Sequence, residues 1–418
     1  MKKYIITLAL AALSIGTFSR CTVEPVPFDL QPAFQYTDDY YAALRAYKES
    51  DHAIAYIFFG DYGTPYSPAF RFMGIPDSVD VVNLWGGVPK DGSLDLEEMH
   101  QMQRLKGTKV VSCKIIRLAP SNANYYSQSW AKQAKIPSFM NAYTAAYESA
   151  YDANYDAVYQ STYEAAIEAE KTAEEAAAEA AATAADAAAP AAESAGMSAG
   201  ITALRADMSA HPSRTLVSGT EEGGDAVYEY PDWCVLSADY LLREVWENGL
   251  DGYDLDWEPE GDALDGDRFL TFVQYLSQYL GPLSDDPSKL LIIDRNTACR
   301  SYGQYAKYSN YWIHQKYGGT GGASRTTDSD YPLTDDPSTG GWINSQVIVC
   351  ENIGDTWTTG GRIEEFAAFN PSVGGRKGGF AAFHGQRDYN TTESGANKAT
   401  PYGHIRRAIQ IQNPSVTE

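Results

Sequence analysis

Short runs of apolar and β-branched residues recur along the chain, each ending in small or polar residues and each followed by a helix-like stretch. The runs are Ala53–Phe59, Val79–Trp85, Lys109–Ile116, Gly249–Trp257, Leu290–Asp294, Tyr311–Gln315, Gln346–Cys350 and Gly379–Phe383. Between them lie amphipathic segments. Asp267–Tyr279 carries Phe269, Phe272, Val273 and Leu276 at helical spacing. Ser237–Gly249 carries Leu241, Leu242, Val245 and Trp246, with Ser237 expected as N-cap and Gly249 as the helix stop. Near-continuous apolar runs alternating with helices predict a parallel sheet buried on both faces. Eight runs are also the number that closes an α/β barrel, so a (β/α)8 barrel of the TIM type is expected over residues 49–410. An open doubly wound sheet is the alternative, but no glycine-rich nucleotide fingerprint follows the first run.

One region between the third and fourth runs breaks the rhythm. Tyr143, Tyr147, Tyr151, Tyr155, Tyr159 and Tyr163 recur every fourth position, and Ala- and Glu-rich sequence continues to Ala189-Pro190. High helix propensity without interior proline or glycine from Asn141 to Ala189 predicts one long helix, within a helical insertion over 139–196. The tyrosines then form a slowly drifting stripe, suited to packing on the barrel or a second helix, or to stacking on a glycan. Past Tyr163 the Ala/Glu composition reads as a solvated projection near the barrel rim.

The first residues, Met1-Lys2-Lys3 and an apolar run to Ile15, read as an export signal too short to span a membrane. Cys21 follows at the position of a bacterial lipoprotein's acylated cysteine, although Arg20 stands where a small residue is usual. Thr17 and Ser19 offer an ordinary secretory cleavage site instead. Residues 1–21 are thus expected to be a signal with Cys21 lipidated, 22–48 a tether and lead-in, and 411–418 a tail. The expected location is the cell surface as an outer-membrane lipoprotein, or else the periplasm or medium. A monomer is expected.

Composition narrows the partners. Fifty-five acidic residues against 32 basic give a formal net charge of -23, which disfavours nucleic acid and anionic membrane surfaces. Thirty tyrosines and eight tryptophans suit stacking on sugars as well as ordinary core packing. Cys113, Cys234, Cys299 and Cys350 are spaced too widely for a zinc site, and most lie in apolar runs, so buried free thiols are expected.

The chemistry concentrates in Asp251-Gly252-Tyr253-Asp254-Leu255-Asp256-Trp257-Glu258. On a strand, Gly252, Asp254, Asp256 and Glu258 share one face, and Tyr253, Leu255 and Trp257 the other. The apolar set packs against helices, so the carboxyls must point into the barrel. Like charges at close range in low dielectric are costly, and a purely structural strand has no reason to carry them. Glu258, at the C-terminal end where barrel active sites form, is the expected proton donor, and neighbouring acids favour its protonated form. Asp256 is placed to share a proton or accept an N–H, and Asp254 to relay or balance charge. Asp251, off this face, is expected to brace the strand start.

The pattern Asp-Gly-x-Asp-x-Asp-x-Glu on the fourth strand resembles the signature of glycoside hydrolase family 18, which contains chitinases and endo-β-N-acetylglucosaminidases. The resemblance implies a substrate-assisted, retaining mechanism outside the two-carboxylate scheme. Glu258 would protonate the glycosidic oxygen, and the substrate's 2-acetamido group would attack the anomeric carbon. Asp256 would orient that group. No metal or other cofactor is implied. Gln315 and Tyr317, at the sixth strand, would meet the acetamide carbonyl, and Trp312 and Asn296 are further substrate-binding candidates. Family chitinases usually carry a tryptophan floor on the eighth strand. Here the strand reads Gly379-Phe380-Ala381-Ala382-Phe383-His384, so Phe383 would replace that floor and His384 is a possible ligand contact. The departure implies an endo-β-N-acetylglucosaminidase acting on the N-acetylglucosamine pair of N-glycans on glycoproteins. A chitinase or chito-oligosaccharide hydrolase, and a non-catalytic glycan-binding barrel, are the alternatives.

Overall fold

The computed structural model describes residues 36–63, 68–120, 130–258, 264–317, 325–390 and 400–414. Cys21 and the expected signal lie outside the described residues. The chain divides into two compact units, Met1–Ala42 and Ala43–Glu418. In the first, the Tyr40 amide donates to the Thr37 hydroxyl at 3.2 Å, and the Tyr36 and Tyr40 rings stack 4.1 Å apart.

Eight parallel strands close into a barrel. In chain order they are β1 (Ile54–Phe59), β2 (Val81–Leu84), β3 (Lys109–Ile115), β6 (Gly252–Asp256), β7 (Leu290–Arg295), β8 (Tyr311–Gln315), β9 (Val347–Asn352) and β10 (Gly379–Phe383). β4 (Thr215–Ser218) and β5 (Val227–Glu229) form a separate antiparallel ribbon. Each expected run overlaps one barrel strand, although β7 continues to Arg295 and β9 to Asn352. The open-sheet alternative falls because β1 pairs on both sides, Tyr56 with Val81 of β2 and with Ala381 of β10.

Strand alternation sorts the core into two. Tyr56, Phe58, Val111, Cys113, Ile292, Ile313, Cys350 and Ala381 fill the barrel interior. Their neighbours in sequence, such as Ile57, Val110, Leu255, Ile293 and Trp312, pack outward under the helices. Gly252 of the motif has a steric reason: a Cβ there would stand 2.1 Å from the Leu290 carbonyl oxygen. A side chain at this point would push β6 and β7 apart below the acidic residues.

Helix α1 spans Asp38–Glu49, across the boundary of the two units, and α2 spans Leu94–Lys106. Helix α5 (Asp232–Glu247) starts five residues earlier than Ser237. Ser237 is buried in mid-helix, because Trp233 and Cys234 extend the apolar stripe back by a turn to Pro231. Gly249 follows the helix with φ +59°, the left-handed conformation of a stop. α6 covers Gly266–Leu276, α7 Ile363–Ala368 and α8 Gly403–Gln412.

The insertion between the third and fourth barrel strands is two helices rather than one: α3 (Pro137–Glu168) and α4 (Ala173–Ala210). Propensity alone could not show the break. Glu170 turns with φ +62°, and Thr172 and Glu175 form a reciprocal capping box that restarts the helix. α4 then runs through Pro190. The Ala-rich face is not solvated either. Ala176, Ala180, Ala184, Ala188 and Ala192 are fully buried. A Cβ on Gly196 would stand 2.9 Å from the Tyr143 ring, and one on Gly200 2.8 Å from the Phe139 ring. Both helices advance in fours, so this antiparallel register sets each buried alanine opposite the next tyrosine. The tyrosine rings stack on one another with centroids 5.7–6.1 Å apart. Small residues on one helix thus admit large rings from the other, in a hairpin about 48 Å long at 1.5 Å per residue. Phe139, Tyr143, Met197, Ile201, Leu204 and Met208 seat its foot in the main core.

Among the described residues no helix is long and apolar enough to cross a membrane. Cys113, Cys234, Cys299 and Cys350 are buried free thiols.

Candidate active site

β6 carries the acidic column up the barrel interior. Asp254 is fully buried and held from two other strands. Tyr56 of β1 donates its hydroxyl to Asp254 Oδ2 at 2.5 Å, and Asn83 of β2 donates its amide to the same oxygen at 2.8 Å and to the Tyr56 oxygen at 2.8 Å. One step up, Asp256 accepts the Gln315 Nε2–H of β8 on Oδ1 at 3.0 Å. Glu258 lies just past the strand end, its side chain 30% exposed, with the Arg117 guanidinium 3.4 Å from Oε2. The one column thus runs from a sealed base to an open top. Asp251, on the other face, accepts from the Val110 amide at 2.8 Å and the Gln103 side chain at 2.7 Å, tying the strand start to β3 and α2.

β7 adds a fourth carboxyl. Asp294 pairs in register with Asp256 and is 1% exposed. Burial pushes all three aspartates up, since the charged form loses its hydration. For Asp254 the rise is to about 7, opposed by the Tyr56 and Asn83 donors. Asp256 is held well above the ordinary carboxylate range by burial and by the nearby Glu258 and Asp254 charges. Asp294 is raised likewise by burial, then by Asp256 and Asp254. Burial and mutual repulsion thus keep protons on these aspartates above the ordinary carboxylate range, the kind of perturbation that clusters at functional sites.

Aromatic rings border the mouth. Phe383 stands edge-on to Trp85, with centroids 5.1 Å apart, and is stacked with Tyr317 at 5.6 Å and 17°. Phe58 closes the group from below. A cavity of about 380 Å³ opens beside Trp85, Cys113 and Ile115, walled by Trp130 and Tyr240. Larger hollows, of about 690 and 510 Å³, lie by His211 and Tyr230 at the hairpin foot and by Trp246 and Tyr279. None of the column's residues lines them. Among the described residues no group of three or more His, Cys, Asp or Glu is arranged to hold a metal ion.

Residues 21–183 match the family described as glycoside hydrolase family 18, BT1044-like, and residues 225–382 match the endo-beta-N-acetylglucosaminidase EndoS TIM-barrel domain. Over the first of these stretches the chain is similar to glycoside hydrolase family 18. It is a glycoside hydrolase, similar over the second stretch to an endo-β-N-acetylglucosaminidase barrel. A substituted selenomethionine form of BT1044 shares the fold, with 17% identity over 90% of this chain and 93% of that one and a TM-score of 0.52. An endo-beta-N-acetylglucosaminidase from Cordyceps militaris is 18% identical over 91% and 98%, with a TM-score of 0.49. A family 18 chitinase from Pseudoalteromonas aurantia is 13% identical over 86% and 100%, with a TM-score of 0.36. No curated protein matches the sequence.

In this glycoside hydrolase barrel, Asp254, Asp256, Glu258 and Gln315 come together, with Phe383 and Tyr317 at the mouth. Trp312 does not join them. It is fully buried on the outer face of β8, donating its indole N–H to the Thr297 carbonyl at 2.9 Å and packed against Tyr302 and Trp342. The alternation that turns Gln315 inward necessarily turns Trp312 outward. Asn296 is exposed two residues beyond Asp294, its amide oxygen accepting from the Thr297 hydroxyl at 3.2 Å. His384 adopts a left-handed φ of +58° with its ring 4.0 Å from that of Phe383. Sequence reasoning missed Tyr56, Asn83, Trp85, Arg117 and Asp294. Asp294 had a signal, since it ends the fifth run in phase with two inward positions. Tyr56 and Asn83 are polar atoms inside apolar runs, and only barrel closure brings them to Asp254.

Proposed function

We propose that the protein is a retaining, substrate-assisted endo-β-N-acetylglucosaminidase that hydrolyses the β-1,4 bond of the N-acetylglucosamine pair at the base of N-glycans on glycoproteins. The observation that carries the mechanism is the column itself. Glu258 stands at the open top, and Asp256, one step below it, is held by Gln315 with its second oxygen left for a substrate N–H. Glu258 gives its proton to the glycosidic oxygen as the C1–O bond breaks. The acetamide carbonyl oxygen bonds to C1 from the opposite face, forming an oxazolinium ion. Asp256 accepts the acetamide N–H and balances the developing positive charge, while Gln315 and Tyr317 border the carbonyl side. Glu258, now a carboxylate, takes a proton from water as it attacks C1 and reopens the ring. Two inversions give retention. Phe383 supplies the floor for the reacting sugar, with Asn296 at the rim.

The choice of N-glycan over chitin is supported by the match to an endo-beta-N-acetylglucosaminidase barrel and by the absence of tryptophan from β10. The test is incubation with a high-mannose glycoprotein, a complex-type glycoprotein and soluble chitin oligomers. Glycan release that leaves one N-acetylglucosamine on the protein is expected, and cleavage of chitin oligomers alone would refute the reading. We also propose export with lipid attachment at Cys21, checked by metabolic labelling with a radioactive fatty acid and its loss in Cys21→Ser.

A further inference from the structure

Asp294 is a carboxyl that the reaction above leaves without a task. It sits buried at the inward end of β7, level with Asp256 across the β6–β7 pairing, and the Gln315 amide approaches it without closing a hydrogen bond of ordinary geometry to either oxygen. Its sequence neighbour Arg295 is no counter-ion. That guanidinium lies on the other side of the strand, 4.0 Å from the Trp257 ring centre, and donates to the Trp257 carbonyl at 2.9 Å. The groups that do face Asp294 are neutral or acidic. Asp254, Asp256 and Glu258 rise along β6, and the Gln315 amide stands between Asp294 and Asp256. The Cys113 and Cys350 thiols and the Tyr317 phenol complete the surround. Arg117, whose charge acts on Asp256, is engaged with Glu258. A buried carboxylate with no cation, and with only an amide already donating to Asp256 beside it, is costly, whereas the neutral acid is not. The neutral acid also has what a carboxylate lacks, an O–H to donate.

We propose that Asp294 is a positioning residue that works as a neutral acid: its O–H and the Gln315 amide together present donors to Asp256, so that Asp256 is the ionised carboxylate of the pair when the substrate's acetamide arrives. No bond is made or broken at Asp294, and its proton stays in place through the cycle. The inference rests on the acetamide-orienting role proposed for Asp256, but its first test does not.

That first test is infrared spectroscopy of the free enzyme at neutral pH, comparing wild type with Asp294→Asn. A protonated carboxyl has a C=O stretch distinct from that of a carboxylate, and the variant should lose one such component. An unchanged protonated-carboxyl band would overturn the proposal. The second test compares kcat and KM for Asp294→Asn, which keeps a neutral donor of nearly the same shape, and Asp294→Leu, which does not. Leu should lower kcat about tenfold or more with little change in KM, and Asn should recover most of that loss. Loss of kcat in Asn equal to that in Leu would mean that an ionised Asp294 is needed, and full activity in Leu would mean that it has no role. Thermal melts of both variants separate misfolding from these outcomes. If the wild-type enzyme leaves glycoproteins intact, the N-glycan reading fails while the infrared result still decides the state of Asp294.

Discussion

Gln315 Nε2 stands 3.0 Å from Asp256 Oδ1, joining two strands that are separated in the barrel by β7. The bond occupies one oxygen of Asp256 and, in the proposed reaction, leaves the other for the substrate's acetamide. Gln315→Leu should therefore lower kcat by about 10²-fold, the usual cost of one preorganised donor, and should affect KM less. Steady-state kinetics on a glycoprotein substrate measures this. A loss confined to KM would mean that Gln315 only binds.

Glu258→Gln removes the transferable proton while keeping shape and size. The rate should fall by about 10³-fold or more with the melting temperature unchanged, because the side chain is partly exposed and meets only Arg117 at 3.4 Å among the contacts described. A variant retaining a tenth of wild-type activity would remove Glu258 from the role of proton donor.

Stability should depend on pH through the buried aspartates. Asp254, Asp256 and Asp294 are all raised above the ordinary value of 3.8, Asp254 to about 7. The folded state therefore holds protons that the unfolded state has already released. Their contribution is fully present below about pH 3.8 and is lost as pH rises through the folded values. Asp330, lowered to about 2 by the His314 and Lys316 contacts despite its burial, has the opposite sense. Its contribution is lost only as pH falls towards 2. Between pH 4 and 7, Asp294→Asn should flatten the fall in melting temperature, since it removes one raised group without removing a hydrogen bond. Calorimetry across that range, with an identical slope in both proteins, would contradict this.

The hairpin depends on close approach at Gly196. A Cβ there would crowd two Tyr143 ring carbons at 2.9 Å and the Tyr143 carbonyl oxygen at 3.1 Å. Gly196→Val should destabilise the hairpin by about 1–3 kcal/mol through overpacking. Limited proteolysis should then cut within α3 or α4 before it cuts the barrel. Resistance equal to wild type would mean that the helices can separate without cost.

What could be read from the sequence follows from how local each signal is. The eight strands were legible because a strand buried on both faces must be apolar throughout, and the order of the runs survives without any knowledge of their partners. The motif was legible for the same reason: alternation alone puts Asp254, Asp256 and Glu258 on one face. Alternation also excludes Trp312 from the interior once Gln315 is placed there, so that misassignment was avoidable. The hairpin was half legible. The four-residue tyrosine period declared a helix with one special face, but alanines that look solvated in isolation become a buried groove when a second helix lies on them.

The sequence by itself determined the strand count, the helical character of the insertion and the acidic face of β6, because periodicity is written in consecutive residues. Tertiary structure alone decided what surrounds that face. Barrel closure brings Tyr56 and Asn83 onto Asp254, Gln315 onto Asp256, and Asp294 level with Asp256 from the next strand. These partners lie between 38 and 198 positions away in the chain, and only the register of a closed sheet carries them to hydrogen-bonding or side-by-side distance. Protonation follows from the same cause, since a carboxyl's affinity for its proton is set by the water it has lost and the groups it meets in space.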